Sequence, residues 1–130
     1  MHDAWRNYEN APQEGAIICP SSAIPEGKAR CMEIMSSNGS FPVIAARING
    51  TIYCYVNACP HQYLPLNYRS DSIVSSDGHR FLCSAHGAAF DIKTGDCLTG
   101  GCDKLDAIPV FEDLAGNLCV TIENLKNIHQ

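Results

Sequence analysis

The chain has no run approaching the roughly 18 consecutive apolar residues that a membrane-spanning helix requires, which excludes a helical membrane anchor. Its first ten residues, Met1 to Asn10, contain neither the apolar stretch of a signal peptide nor a twin arginine, so a cytoplasmic location is expected. Basic residues are scarce. Nine Lys and Arg stand against 14 Asp and Glu, for a net charge of −5. No basic cluster offers to neutralise phosphates, which excludes nucleic acid as a partner. Repeats, low-complexity segments and helical apolar periodicity are missing too, and this leaves strands as the building material. No Gly-rich fingerprint for a flavin or nicotinamide is present.

What is present reads as one all-β domain, within the size range of a single core. Residues 1–14 are polar and patternless and are expected to form a flexible arm, for which Trp5 is either an anchor or simply exposed. The domain proper is expected over 15–124, with a tail at 125–130. Ala16–Cys19 and Ala29–Met35 read as strands. Val43–Ile48 and Thr51–Val56 flank Asn49-Gly50, the signature of a hairpin with a type I′ turn. A second hairpin is expected over Asp71–Leu82 around Asp77-Gly78. A short strand is expected at Phe90–Ile92, and a last hairpin joins Leu105–Phe111 to Asn117–Glu123. In that final strand, Leu118, Val120 and Ile122 are expected on one face, with Thr121 and Glu123 on the other.

The chemistry-bearing residues form two short clips. Cys59-Pro60-His61 lies directly after the Thr51–Val56 strand, and Cys83-Ser84-Ala85-His86-Gly87 after the second hairpin. Each clip mixes one thiolate with one imidazole. Zinc fingers instead pair Cys with Cys and His with His at fixed spacing, although Cys₂His₂ is also a zinc set. The mixed clips fit a [2Fe–2S] cluster with Cys59 and Cys83 on one iron and His61 and His86 on the other. Of the eight cysteines, Cys19, Cys31, Cys54 and Cys119 lie in apolar strand-like runs and read as small buried side chains of a reduced protein. Cys97 and Cys102 flank a glycine pair and are either loop packing or a redox-active pair. His79 is read as a solvated turn residue and His2 and His129 as tail residues. Tyr63 and Leu64 are either a rim around His61 or ordinary packing.

From about Glu26 to Ile122 the chain resembles a Rieske [2Fe–2S] domain of the soluble ferredoxin type. Cys59-Pro60-His61 with Pro65-Leu66 resembles the first cluster-binding loop. Cys83 to Asp91 resembles the second. Thr94-Gly95-Asp96-Cys97 and Ile108-Pro109-Val110 are similar to the family's next turn and final strand pair. The resemblance implies three antiparallel sheets, a small cluster-binding subdomain over about 57–103, and one cluster per chain held by Cys59, His61, Cys83 and His86. It also implies that both imidazoles bind through Nδ1. Three departures matter. Leu64 and Ala85 stand where high-potential members have cysteines that form a disulfide between the loops. Ala88 and Phe90 stand where those members place a Ser and a Tyr hydroxyl against cluster sulfur. Gly100-Gly101-Cys102 replaces the Gly-Pro of the covering loop. Fewer hydrogen bonds to sulfur imply a potential near the low end of the Rieske range, about −150 mV.

The implied function is one-electron transfer, with no catalytic residues. The donor would be a flavin or ferredoxin reductase and the acceptor a terminal oxygenase. One alternative is a small subunit of a larger reductase, such as one acting on nitrite; another is a zinc-stapled binding module. An oxygenase centre of its own would need a 2-His-1-carboxylate triad, and beyond the clips only His2, His79 and His129 remain.

Overall fold

The structure is a computed structural model that describes residues 5, 8, 10–36, 39–60, 64–84, 87–99 and 103–121. Eight strands run in chain order: β1 (Ile17–Pro20), β2 (Ala29–Ser36), β3 (Gly39–Ile48), β4 (Thr51–Val56), β5 (Arg80–Leu82), β6 (Ala89–Asp91), β7 (Val110–Glu112) and β8 (Asn117–Val120). One 3₁₀ turn, Ser21–Ala23, follows β1. The strands form three antiparallel sheets ordered β2-β3-β4, β1-β8-β7 and β5-β6. The expected all-β class and the three sheets are both present.

The meander β2-β3-β4 is the frame. Its β3–β4 register runs from Val43↔Val56 to Ile48↔Thr51, closed by Asn49 and Gly50 at φ of 52° and 82°. Two successive positive φ values are what a type I′ turn demands. The Glu26 carboxylate clamps this turn from outside, accepting from the Asn49 N–H at 2.6 Å and the Gly50 N–H at 2.8 Å. Glu26→Ala is expected to remove about 1 kcal/mol. Urea denaturation should show a lower midpoint at unchanged slope; an unchanged midpoint would mean that the clamp contributes nothing.

Strand β3 begins four residues before its expected start at Val43, passing through Pro42. Proline is rare in an interior strand because it has no N–H. Here its carbonyl is the group in use, accepting from Asn57 N at 3.0 Å beyond the end of β4. The expected strand Leu105–Phe111 is divided. Residues 105–108 follow β4, with Val56 N donating to Asp106 O at 2.9 Å and Ile108 N to Cys54 O at 2.9 Å. Pro109 then marks the crossing to the other sheet, where β7 pairs with β8. In β8 and the residue after it the buried set is broader than expected: Leu118 and Val120 are buried, and so are Cys119 and Thr121. Ile122, Glu123 and the expected tail lie outside the described residues.

Two apolar clusters fill the domain. One joins the inner faces of β2-β3-β4 and β1-β8-β7 through Ile34, Phe41, Val43, Val56, Leu118 and Val120. Trp5 belongs to it at 1% exposure. Tyr8 stacks edge-on against Phe41 at 5.6 Å and donates to the Asp106 carboxylate at 3.0 Å. Of the two places open to Trp5, the anchor is the one observed, since a large aromatic gains most by burial. The other cluster lies between β3-β4 and the β5-β6 hairpin, and it contains Cys59 and Cys83.

Candidate metal centre

Each clip is held where a strand ends. The first follows β4 directly: Asn57, at 5% exposure, accepts from Leu66 N at 2.8 Å through Oδ1 and donates to Asn67 Oδ1 at 3.1 Å. Cys59 N donates to Leu64 O at 2.7 Å and closes the loop. The second clip is the loop of the β5–β6 hairpin. Above the pair Leu82↔Ala89, Cys83 N donates to Ala88 O and Gly87 N to Cys83 O, both at 2.8 Å. The expected hairpin around Asp77-Gly78 is also present and lengthens this sheet. Val74 bridges Phe81, Ser75 N donates to Arg80 O, and Leu82 N donates to Ile73 O. Asp77 ties the turn, accepting from the Ser75 hydroxyl and from His79 N, and these bonds hold its carboxyl below the usual carboxylate range. His79 itself is exposed, as expected.

Cys59 and Cys83 are 0% and 1% exposed, neither is in a disulfide, and both belong to one apolar cluster with Leu66, Phe81, Phe90 and Leu105. His61 and His86 lie outside the described residues, as do Tyr63, Ala85 and 100–102. Among the described residues no group of three or more His, Cys, Asp or Glu comes together. The donor chemistry nevertheless fits a [2Fe–2S] cluster. Two thiols, one per loop, sit in an apolar pocket, where a free thiolate would be costly and a metal-bound one is compensated.

The remaining cysteines separate from these two. Cys19, Cys31, Cys54 and Cys119 are free, as expected, but only Cys54 and Cys119 are buried; Cys19 and Cys31 are half-buried. Burial, then the nearby Asp71 carboxylate, pushes the Cys31 thiol up to about 11. Burial pushes Cys54 to about 12. Both therefore stay protonated at neutral pH in the absence of a metal. Cys97 is disulfide-bonded, with its sulfur 3.5 Å from the Thr99 hydroxyl, so it is not a simple packing thiol. Its backbone bridges Phe90, next to the second clip.

What sequence reasoning missed is Ser84. Its amide and its hydroxyl both donate to Leu66 O, at 2.9 and 2.8 Å, and its oxygen accepts from Arg69 N at 2.8 Å and Ser70 N at 3.3 Å. Nothing in a lone serine between ligand residues signals contacts to a loop 14 to 18 positions away.

The Rieske [2Fe-2S] domain family matches residues 14–112. No curated protein matches the chain. Among solved structures, the ferredoxin of carbazole 1,9a-dioxygenase from Nocardioides aromaticivorans IC177 is similar, with a TM-score of 0.65 at 17% identity, over 85% of this chain and 100% of that one. A ferredoxin from Sphingomonas yanoikuyae B1 gives 0.63 at 19% identity, over 84% and 99%. A complex of reduced oxygenase and oxidized ferredoxin in carbazole 1,9a-dioxygenase gives 0.65 at 24% identity, over 87% and 97%.

Proposed function

Because the chain belongs to the Rieske [2Fe–2S] domain family, we propose that it is a one-electron carrier holding one cluster on Cys59, His61, Cys83 and His86. The observation that carries this reading is the pair of buried, non-disulfide thiols, one at the end of β4 and one at the end of β5, in a single apolar cluster. Bound there, the cluster supplies reversible one-electron chemistry. The chain's own residues fix two loops, keep the thiols from water and direct them inward. The donor is a flavin or ferredoxin reductase and the acceptor a terminal oxygenase; the similar ferredoxin in complex with an oxygenase supports the acceptor. No helix among the described residues is long and apolar enough to cross a membrane. The unit is proposed to comprise an arm at 1–14, the domain at 15–124 with its cluster-binding part at about 57–103, and a tail at 125–130. A cytoplasmic location suits the free cysteines; the Cys97 disulfide is the feature that such a location would keep transient.

The test is EPR of the reduced protein, together with iron and sulfide analysis. Iron and sulfide in equal amounts, at one cluster per chain, with a signature of mixed nitrogen and thiolate ligation, is the expected result. Stoichiometric zinc in a colourless protein, or an all-thiolate spectrum, would overturn it.

Phe90 sharpens the expected potential. It is fully buried in the same apolar cluster as both thiols, and its ring has no hydroxyl to donate. The midpoint is expected near −150 mV, the low end of the range. A hydrogen bond to a charged acceptor is worth about 1.5 kcal/mol, and one-electron couples move by 59 mV per tenfold change. Phe90→Tyr is therefore expected to raise the midpoint by about 60 mV in a redox titration. A wild-type midpoint above about +200 mV would contradict the hydrogen-bond argument.

A further inference from the structure

We infer that Ser84 is a positioning residue for the cluster: it clasps the two ligand loops together and so fixes the separation of the Cys59 and Cys83 thiols. The inference rests on the reading that these two cysteines hold the cluster.

The two loops have one described cysteine each, Cys59 and Cys83, and both are assigned to iron. Their connection runs instead through Ser84, the residue that follows the ligand Cys83. A hydroxyl has one proton to donate and two lone pairs to accept with. All three capacities of Ser84 are spent on the first loop: the proton on Leu66 O, the lone pairs on Arg69 N and Ser70 N. The Ser84 amide adds a second donor to the same Leu66 carbonyl. Leu66 is fully buried, so this carbonyl has little access to water as a substitute.

The clasp is continuous with the frame. Leu66 N donates to Asn57 Oδ1, and Asn57 N donates to Pro42 O in β3. A chain of hydrogen bonds thus runs from the central strand of the β2-β3-β4 sheet through the first loop to the residue beside the second thiol. Each link joins neighbours distant in sequence, so none is a by-product of a local turn. Small displacements of a ligand-bearing loop degrade a site that needs its donors placed within a fraction of an ångström. Loss of a supporting partner typically weakens metal retention 10- to 100-fold.

The test uses the holo protein and its Ser84→Ala and Ser84→Thr variants. In Ser84→Ala the Leu66 carbonyl keeps its amide donor, and the exposed Arg69 and Ser70 amides turn to water, so the fold is retained. Bleaching of the visible spectrum by an iron chelator is expected to run at least about tenfold faster in Ser84→Ala. Its reduced-state EPR lines should broaden, because unclasped loops sample several ligand geometries. Ser84→Thr, which keeps the hydroxyl, should restore the wild-type rate and line shape. A residue that merely supported the fold would lower the urea midpoint and leave the EPR line shape alone. Wild-type bleaching and line shape in Ser84→Ala would overturn the inference, as would equal damage in the Ala and Thr variants. If Ser84→Ala purifies without a cluster, retention in Ser84→Thr supports the clasp and loss in both overturns it. Failure of the ligand reading shows separately, as a wild-type protein without iron.

Discussion

Cys83→Ser is expected to abolish the visible absorbance and to reduce bound iron by more than about 100-fold. Losing a mere supporting contact already costs about 10- to 100-fold in metal retention, and Cys83 is proposed as a ligand itself. Serine offers a hard oxygen whose proton is far more tightly held than that of a thiol, so it does not replace a soft thiolate on iron sulfide. The site is unforgiving because Cys83 is 1% exposed among Leu66, Phe81, Phe90 and Leu105, where no water can complete a broken coordination sphere. The same burial gives a second readout. A serine hydroxyl is more costly than a thiol to bury among apolar side chains, so the cluster-free variant should unfold at a lower urea concentration than cluster-free wild type. Damage should be confined to the apolar cluster that contains the thiols. The other, which holds Trp5, Phe41 and Leu118, contains neither Cys59 nor Cys83. Cys31→Ser is the matched control. That thiol is half-buried nearby but held protonated, with its pKa raised to about 11, and its loss should leave colour and iron unchanged. Equal bleaching in both variants would remove Cys83 from the ligand set.

The parts of this architecture that were legible in the sequence are those governed by neighbours along the chain. Asn49-Gly50 announces its hairpin because the two positive φ values are a local demand. The Asp77-Gly78 hairpin is legible because Gly78 supplies the positive φ of its turn, and of the two mixed Cys and His clips the structure describes Cys59 and Cys83, which it buries in one cluster. What escaped depends on partners far away in sequence. The expected start of the strand is Val43, yet β3 begins at Gly39 and runs through Pro42, whose carbonyl accepts from an asparagine 15 positions later. Residues 105–111 looked like one strand, yet their first half answers to β4 and their second to β8. The alternation puts Thr121 on the face opposite Leu118 and Val120, yet Pro109 O accepts its amide at 2.9 Å and Thr121 is buried as they are. Ser84 is the sharpest case: its role lies wholly in what Leu66, Arg69 and Ser70 bring to it.

The largest purely structural effect is expected at Gly95, where a single added methyl group should cost about 3 kcal/mol. The residue turns the chain after β6 at φ +80°, and a Cβ built there would lie 2.8 Å from Cε1 of Tyr55 and 3.3 Å from Leu105 O. The conformation alone costs an alanine about 1–2 kcal/mol, and forcing a group into a filled space adds about 1–3. Tyr55 cannot step aside cheaply. Its hydroxyl donates to Ile92 O at 2.5 Å, its ring packs edge-on against Phe81 at 5.8 Å, and it is buried in the same cluster as the two thiols. The backbone is equally fixed, because Gly95 N donates to Asp91 O at 2.7 Å and Leu105 N donates to Gly95 O at 2.9 Å. Against a total stability of about 5–15 kcal/mol, the loss should lower the melting temperature by about 10 °C. Gly116→Ala separates the two causes. It shares a positive φ, +86°, but nothing lies within 4 Å of its added Cβ, so it should show the conformational cost alone. If the two variants melt together, the Tyr55 contact exerts no pressure and the wedge between β4 and the cluster hairpin is looser than its distances state.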